Sequence, residues 1–277
     1  MNNTKKLELE AQANKIRQDI IKLVYNAKSG HPGGSLSIAD VMTYLYFEEL
    51  KVDPKNPKAE ERDRFVLSKG HCAPALYACL KEKGFFTEAE MQDFRQVSGI
   101  LQGHPDMKHI PGVDMTTGSL GQGLSAAVGM AIAGKLEQKD YRVYCVLGDG
   151  EIEEGQVWEA AMSASHYKLD NLCAIIDNNN LQIDGAISDV MSPYPIDEKF
   201  KSFGFHVITV NGNDFDEIEK AIEEAKTCKG RPTAIIAKTV KGKGVSFMED
   251  KAEWHGKAPN EEQYRQAMEE LEGMYHG

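Results

Sequence analysis

The sequence lacks a long apolar run, a paired cysteine motif and an excess of basic residues. No apolar stretch approaches the ~18 residues that cross a bilayer, and the first residues lack the apolar core of a secretory signal. The five cysteines are odd in number and include no Cys-x-x-Cys pair, which disfavours a disulfide framework or a zinc site. The net charge of −11 disfavours a nucleic-acid partner. We therefore expect a soluble cytoplasmic protein with neither a membrane nor a nucleic-acid partner, although a local site for an anionic ligand stays open.

The 277 residues suffice to bury a substantial apolar core. Short apolar segments alternate with helical patterns through the second half of the chain, which predicts βαβ units. The predicted strands are 142–147, 172–177, 206–210 and 233–240, and the predicted helices are 153–168, a segment ending near 203, and 214–228. This order predicts an α/β fold with a mostly parallel sheet and helices on both faces. In such folds ligands bind at the carboxyl ends of the strands.

The first half of the chain is mainly helical in pattern. Apolar spacing predicts helices over 9–28 and 37–50, with Ser37 as the N-cap of the second. Thr87 and Glu90 form a capping-box pattern, and 98–123 is a glycine-rich loop of the length that is usually functional. The remaining predicted elements are an apolar run at 65–68, a buried helix from Gly121 to Lys135 and a last helix at roughly 261–274.

Two polar motifs follow consecutive predicted strands. Gly148-Asp149-Gly150 comes after the first, and Asn178-Asn179 comes after the second. Asp149 offers a carboxylate oxygen, Asn179 an amide oxygen, and the backbone carbonyl of Leu181 a third ligand, which is the oxygen-rich set that Mg²⁺ prefers. The glycines permit close approach of a phosphate, and the following helix directs free N–H groups at it. Either motif alone would be an ordinary turn, but the pair predicts a site that holds a diphosphate through a divalent cation.

The chain resembles the transketolase family, within the proteins that bind thiamine diphosphate. The pair of motifs is similar to the fingerprint of that cofactor, and further strings occur in family order across nearly the whole chain. These strings are Ser29-Gly30-His31-Pro32-Gly33-Gly34, Ser68-Lys69-Gly70-His71, Gly103-His104-Pro105, Thr117-Gly118-Ser119-Leu120-Gly121-Gln122-Gly123, Ile183-Asp184-Gly185 and Trp254-His255-Gly256. The resemblance implies a single diphosphate-binding domain over 1–277, with a C-terminal extension over roughly 241–277.

The resemblance also implies roles for individual residues. The metal, Mg²⁺ or else Ca²⁺ or Mn²⁺, would be held by Asp149, Asn179 and the Leu181 carbonyl. Cofactor contacts would come from the side chains or backbones of His71, Lys69, Gly118, Leu120, Gly150, Asn179, Lys241 and Glu154. Glu154 and Glu159 correspond to carboxylates at the subunit interface of the family. His31, His104 and His255 would line the substrate channel and act in catalysis, bonding sugar hydroxyls and stabilising charge near neutral pH.

A large part of the family enzyme has no counterpart in the sequence. Transketolases are more than twice this long, and the pyrimidine-binding and C-terminal domains are absent from this chain. The glutamate that activates the aminopyrimidine of the cofactor lies in the missing part. We therefore expect a partner chain that carries the remaining domains, an α₂β₂ assembly with active sites at the interface, and sugar phosphates as substrates. The start and helical finish of the chain favour a natural split subunit over an accidental fragment.

The leading hypothesis is thus the N-terminal subunit of a split transketolase of the pentose phosphate type. It would transfer a two-carbon ketol unit from a ketose phosphate to an aldose. Other thiamine diphosphate enzymes remain alternatives: a transketolase for specialised sugars, deoxyxylulose phosphate synthase, or the E1 subunit of a 2-oxo acid dehydrogenase. A non-catalytic module that keeps the fold is a further alternative, which the intact Asp149 and Asn179 disfavour.

Overall fold

A five-stranded parallel sheet forms the centre of the protein, in a computed structural model that describes residues 1–273. The strands are β1 (Arg64–Leu67), β2 (Val143–Gly148), β3 (Leu172–Asn178), β6 (His206–Asn211) and β7 (Thr233–Lys238), and a two-stranded hairpin contains β4 (Leu181–Gln182) and β5 (Gly185–Ala186). The order across the sheet is β1-β2-β3-β7-β6, with every pairing parallel. The predicted α/β fold with a parallel sheet is confirmed.

The helices pack on both faces of this sheet. They are α1 (Asn3–Ala27), α2 (Pro32–Ser37), α3 (Ala39–Tyr44), α4 (Ala73–Lys83), α5 (Glu88–Gln92), α6 (Gln122–Leu136), α7 (Gly155–His166), α8 (Ile187–Val190), α9 (Ile196–Ser202), α10 (Phe215–Thr227) and α11 (Glu261–Gly273). One core contains apolar side chains of α1, α3, α4 and α10, and the other contains those of α6, α7 and α9. No helix within 1–273 is long and apolar enough to cross a bilayer.

The central strand β3 is buried on both faces of the sheet. All seven of its residues are buried. Cys173 and Ile175 contact one core, whereas Ala174 and Ile176 contact the other, because successive side chains of a strand point to opposite faces. A strand buried on both faces therefore reads as an unbroken apolar run that ends in polar residues where it leaves the sheet.

The predicted helix over 37–50 is wrong in its bounds and its cap. Pro32, which is well suited to a first turn, starts α2 earlier, so Ser37 ends that helix instead of capping the next. The chain continues through α3 and a π-helical turn, Leu45–Glu49. The single O–H of Ser37 is shared between Oδ2 of Asp177, at 2.6 Å, and the Gly34 carbonyl oxygen, at 3.0 Å. Ser37 therefore belongs to a polar cluster beneath the sheet edge.

Other local predictions are confirmed more closely. Thr87 caps α5 through a reciprocal capping box with Glu90, and α6 starts one residue after Gly121. The segment 178–195, predicted as a loop, contains the β4–β5 hairpin and α8. The last helix is present as α11, and residue 274 of its predicted range lies outside the described residues, as do 275–277 of the predicted extension.

Candidate functional site

A cavity of about 330 Å³ lies at the carboxyl ends of β1, β2 and β3. It brings together segments that are far apart in the sequence, because parallel strands end at one edge of the sheet. Its lining residues are His31, Gly34, Lys69, His71, Gly118, Leu120, Gly148, Asp149, Gly150, Glu151, Asn179, Leu181, Gln182, Ile183, Lys241 and His255. All the residues predicted for the metal and most of those predicted for the cofactor therefore lie in one cavity.

Asp149 lines this cavity from the turn that follows β2, and only 2% of it is exposed. Its Oδ1 accepts a hydrogen bond from the Gly150 N–H, and its Oδ2 accepts from the Asn178 amide and the Asn180 N–H. Burial and the nearby charge of Asp177 raise the pKa of Asp149 to about 6. A carboxylate in this environment is suited to a divalent cation, which would favour its charged form.

Asn179 and Leu181 add neutral oxygen atoms to the same wall. The side-chain nitrogen of Asn179 donates to Asp177 at 3.0 Å, and its oxygen accepts from the Leu181 N–H at 3.2 Å. The Leu181 carbonyl oxygen faces the ammonium of Lys241 at 2.9 Å. Within 1–273, no group of three or more His, Cys, Asp or Glu side chains gathers into a metal site. One carboxylate, one amide and one carbonyl form an oxygen set that fits Mg²⁺ with positions left for phosphate oxygens.

Two buried lysines supply positive charge. Lys69 donates to the Gly34 carbonyl oxygen at 2.7 Å and forms an ion pair with Asp177. Burial disfavours the charged form of Lys69, but Asp177 outweighs this effect and raises its pKa. Lys241 is also buried, and its ammonium lies 3.1 Å from Nδ1 of His255. The burial of Lys241 lowers its pKa. Cationic groups in a concave, poorly hydrated site favour an anionic ligand such as a diphosphate.

Three of the residues that line the cavity are histidines whose rings lie close together. The ring centroids of His31, His71 and His255 are 5.1 to 5.5 Å apart. Burial and neighbouring cationic groups lower the pKa of His31 and of His71 to about 4, and that of His255 to about 3. Nδ1 of His31 is buried with no hydrogen-bond partner among the described residues. These imidazoles are therefore neutral at pH 7, and each can donate one hydrogen bond and accept another.

His104 lies outside this cluster, in an open recess of the 98–121 loop that adjoins the cavity. Its ring packs against Gly118, whose φ of +149° is accessible to glycine and whose added Cβ would come within 3.1 Å of the ring. Gly118 therefore keeps the loop backbone close to His104 while Leu120, two residues on, lines the cavity.

Glu154 and Glu159 are not part of the cavity. Both are exposed, with Glu154 at the start of α7 and Glu159 along it. A role of these carboxylates at a subunit interface, and of Glu154 toward the cofactor, stays a prediction.

Two buried carboxylates of the site were missed by the sequence reasoning. Glu151 accepts hydrogen bonds from the N–H groups of Gly121 and Gly148 and from the Ser68 hydroxyl. Asp177, which is 0% exposed, ends the apolar run of β3. For Asp177 the available signal was an acidic residue near the end of an otherwise apolar strand, since a buried charge needs partners, whereas Glu151 lies in a turn outside any strand.

The fold and this donor set define a thiamine diphosphate-binding α/β domain. A family model described as the thiamine diphosphate binding domain of transketolase matches residues 9–275. The chain therefore belongs to the transketolase family, and the predicted relationship is confirmed.

Similar proteins fall into two groups by length. The chain is 45% identical to one of the subunits of apulose-4-phosphate transketolase from Phocaeicola vulgatus, covering 95% of this chain and 93% of that protein. It is 46% identical to 6-deoxy-6-sulfo-D-fructose transketolase subunit SqwG of Clostridium sp., covering 96% of this chain and 97% of that protein. Human transketolase is 47% identical over 95% of this chain, which is 42% of the human protein.

The transketolase structure from Campylobacter jejuni superposes with a TM-score of 0.92 at 37% identity, covering 98% of this chain and 43% of that one. The chain thus spans about two fifths of the long transketolases and nearly all of the two proteins named as subunits.

Proposed function

We propose that this chain forms, together with a partner chain, a transketolase that depends on thiamine diphosphate and Mg²⁺. It would transfer a two-carbon ketol unit from a ketose phosphate to an aldose. The observation that carries the proposal is the single cavity in which three oxygen donors, two buried lysines and three neutral histidines meet.

The residues around the cavity have separate roles in this proposal. Asp149, Asn179 and the Leu181 carbonyl would hold the cation, with Mg²⁺ favoured over Ca²⁺ or Mn²⁺. Lys69, His71, Lys241 and the Gly150 backbone would face the diphosphate, and Gly118 and Leu120 would contact the cofactor through their backbones. When bound, thiamine diphosphate would supply the carbon nucleophile that accepts and releases the ketol unit.

The histidines would act on the sugar. A neutral imidazole donates a hydrogen bond to a carbonyl or alkoxide oxygen and accepts one from a hydroxyl, so it can move a proton without first losing one to solvent. The rings of His31 and His255 meet edge to face in the cavity, with centroids 5.5 Å apart, and His104 lies on the adjoining loop. We infer that this trio positions the sugar hydroxyls and stabilises charge that develops on the substrate oxygen.

The partner would carry the pyrimidine-binding and C-terminal domains in an α₂β₂ assembly. Support comes from the long relatives, which contain more than twice the length of this chain, and from the two relatives whose names call them subunits. A cytoplasmic location is part of the proposal, and the five cysteines, all in the described part of the chain, are free thiols as a reducing compartment would require.

Two candidates remain for the sugar that serves as the ketol donor. Pentose phosphate substrates are the first expectation, but the two similar subunits are named for apulose 4-phosphate and for 6-deoxy-6-sulfo-D-fructose. A specialised transketolase is therefore the second candidate, and the donor panel below separates the two.

The test is a pull-down of the tagged chain from its own cells, followed by an assay with Mg²⁺, thiamine diphosphate and ribose 5-phosphate. The donors are xylulose 5-phosphate, apulose 4-phosphate, 6-deoxy-6-sulfo-D-fructose and pyruvate. A co-purifying partner with sedoheptulose 7-phosphate formed from xylulose 5-phosphate supports the main proposal. Turnover of apulose 4-phosphate alone or of the sulfonated sugar alone supports the specialised enzyme. Turnover of pyruvate alone would contradict ketol transfer and favour a 2-oxo acid as the donor. A partner-bound complex that binds no cofactor would contradict catalysis.

A further inference from the structure

We propose that Arg17, Asp40 and Asn213 are positioning residues for Lys241, the buried lysine that would face the diphosphate. The inference rests on the proposed function, because it concerns how that lysine is held toward the ligand. The three residues are not among those that line the cavity. They would therefore act on an anion only through the backbone that carries Lys241.

Lys241 lies in the loop that follows β7, and its side chain depends on that loop for its direction. Its ammonium donates to the Leu181 carbonyl oxygen at 2.9 Å and lies 3.1 Å from Nδ1 of His255. A lysine side chain is long and flexible, so an ammonium in a fixed place needs a backbone in a fixed place. Contacts that hold this loop therefore bear on the anion site.

Arg17 of α1 holds the loop on the C-terminal side of Lys241. Its Nε donates to the Lys243 carbonyl oxygen at 3.1 Å, and a terminal nitrogen forms an ion pair of 2.6 Å with Asp40 of α3. Arg17 and Asp40 are only 7% and 5% exposed. Gly244 has a φ of +93°, and an added Cβ would come within 3.0 Å of Cδ of Arg17. The loop backbone thus passes directly beside the arginine.

Asn213 holds the loop on the N-terminal side, from the turn between β6 and α10. Its Nδ2 donates to Oδ2 of Asp40 at 2.8 Å, and its Oδ1 accepts from the Val240 N–H at 3.0 Å. The same oxygen of Asp40 accepts from Arg17, so one carboxylate joins the two ties. The network therefore contacts the backbone at 240 and at 243, on either side of Lys241.

The buried ion pair in this network is better suited to positioning than to stability. Desolvation of two charges offsets much of their attraction, so a buried pair is weak evidence of a stabilising role. The planar fork of an arginine can bond two acceptors in a fixed geometry, which an apolar side chain cannot do. In Arg17 these acceptors are a carboxylate and the loop itself. The charges of Arg17 and Asp40 also balance, so the network holds the loop without opposing an anion.

Calorimetric titration of the purified full chain with inorganic diphosphate, in the presence of Mg²⁺, tests this inference. We expect K241M to weaken diphosphate binding by about 10- to 100-fold, as the loss of a charged hydrogen bond does. N213A removes one tie without changing any charge, and R17M removes the other. Each should weaken binding by at least about threefold, a coupling typical of residues in one network. N56A, at an exposed asparagine, is the matched control for N213A and should bind as the wild type does.

The same two substitutions in the K241M background separate positioning from other effects. If N213A and R17M act through Lys241, each should weaken binding by less than about twofold there, because no ammonium is left to position. The loss of a positive charge, or a general change in the folded chain, would weaken binding equally in both backgrounds. Equal losses in both, or no loss in the chain that keeps Lys241, would overturn the inference.

Thermal unfolding checks that each variant folds. If R17M does not fold because Asp40 is left unpaired, N213A decides the question alone, since it leaves the ion pair in place. A wild-type chain that binds no diphosphate with Mg²⁺ would contradict the proposed cofactor site. If the wild type binds diphosphate and K241M binds it equally well, the cofactor site stands, whereas the role of Lys241 and the positioning network are both wrong.

Discussion

Asp149 is the residue on which cation binding depends most directly. The substitution Asp149→Asn keeps the shape of the side chain but removes its charge, so we expect it to reduce Mg²⁺-dependent thiamine diphosphate binding by more than about 100-fold, beyond the effect typical of a residue that only supports a ligand. Calorimetric titration with and without Mg²⁺ measures the change. Asp197→Asn on the surface of α9 is the matched control and should bind as the wild type does. If Asp149→Asn kept metal-dependent binding, the assignment of Asp149 as a metal ligand would be wrong.

His71 makes the stability of the chain depend on pH in a defined window. Its pKa is lowered from 6.5 to about 4 by burial and by the charge of Lys69, so between these values the unfolded chain binds a proton that the folded chain does not. The contribution of His71 to the free energy of unfolding therefore falls as the pH drops from about 6.5 toward 4. His71→Gln should lose less stability between pH 7 and pH 5 than the wild type does, measured by urea unfolding.

The control for this prediction is His166→Gln, at the exposed end of α7. It should leave the difference between pH 7 and pH 5 unchanged. If His71→Gln and the wild type lost the same free energy of unfolding between pH 7 and pH 5, protonation of His71 would not destabilise the folded chain, and the prediction would be wrong.

The residues that reasoning from sequence found and those it missed differ in one physical respect. Asp149 and Asn179 lie in polar motifs directly after two neighbouring strands, and the topology of parallel strands alone brings them together. The roles of Asp177 and Glu151 depend on hydrogen-bond partners such as Ser37 and Gly121, which come from distant segments. Partners of this kind arise from tertiary packing, and no local pattern around the acidic residue specifies them.

At the scale of elements, α6 approaches the end of β1 closely, where Gly123 lies against Ser68, the residue that follows the strand. A Cβ added to Gly123 would come within 2.4 Å of the Ser68 hydroxyl and 2.7 Å of its Cα. Gly123→Ala must therefore push α6 away from β1, and we expect a loss of about 1–3 kcal/mol in the free energy of unfolding. The Ser68 hydroxyl also donates to Glu151, so diphosphate binding should weaken as well.

Gly129 is the matched control on the same helix. A Cβ added there meets no atom within 4 Å among the described residues. Gly129→Ala should raise the free energy of unfolding by about 0.5–1 kcal/mol, because alanine loses less backbone freedom in a helix. If both variants unfold at the same denaturant concentration, helix propensity and not the approach to β1 governs this contact.

The elements themselves show where sequence patterns are informative. The predicted strand 172–177 is observed as Leu172–Asn178, because a doubly buried strand carries an unmistakable apolar run. The predicted helix 37–50 is divided at Ile38, where packing of short segments overrides a continuous apolar spacing. The β4–β5 hairpin, of two residues per strand, is too short for alternation to indicate it.

At the scale of the whole molecule, the proposed cofactor site in this chain would hold only one end of a long ligand. Its charged groups, Asp149, Lys69 and Lys241, lie at the carboxyl edge of the sheet. Ile183, which lines the cavity, is 65% exposed. An apolar side chain left exposed beside a charged cavity is available for contact with the proposed partner.

This division of the site predicts how the isolated chain discriminates between ligands. With Mg²⁺ present, the chain alone should bind thiamine diphosphate less than about tenfold more tightly than inorganic diphosphate, because each immobilised group needs contacts of its own to add affinity. Addition of the partner should widen this ratio, since the pyrimidine end then gains contacts and both ends bind as one ligand. Competitive calorimetry with the two ligands, with and without the partner, gives both ratios. A preference above about 100-fold in the isolated chain would place the pyrimidine contacts in this chain and contradict the division of the site between two subunits.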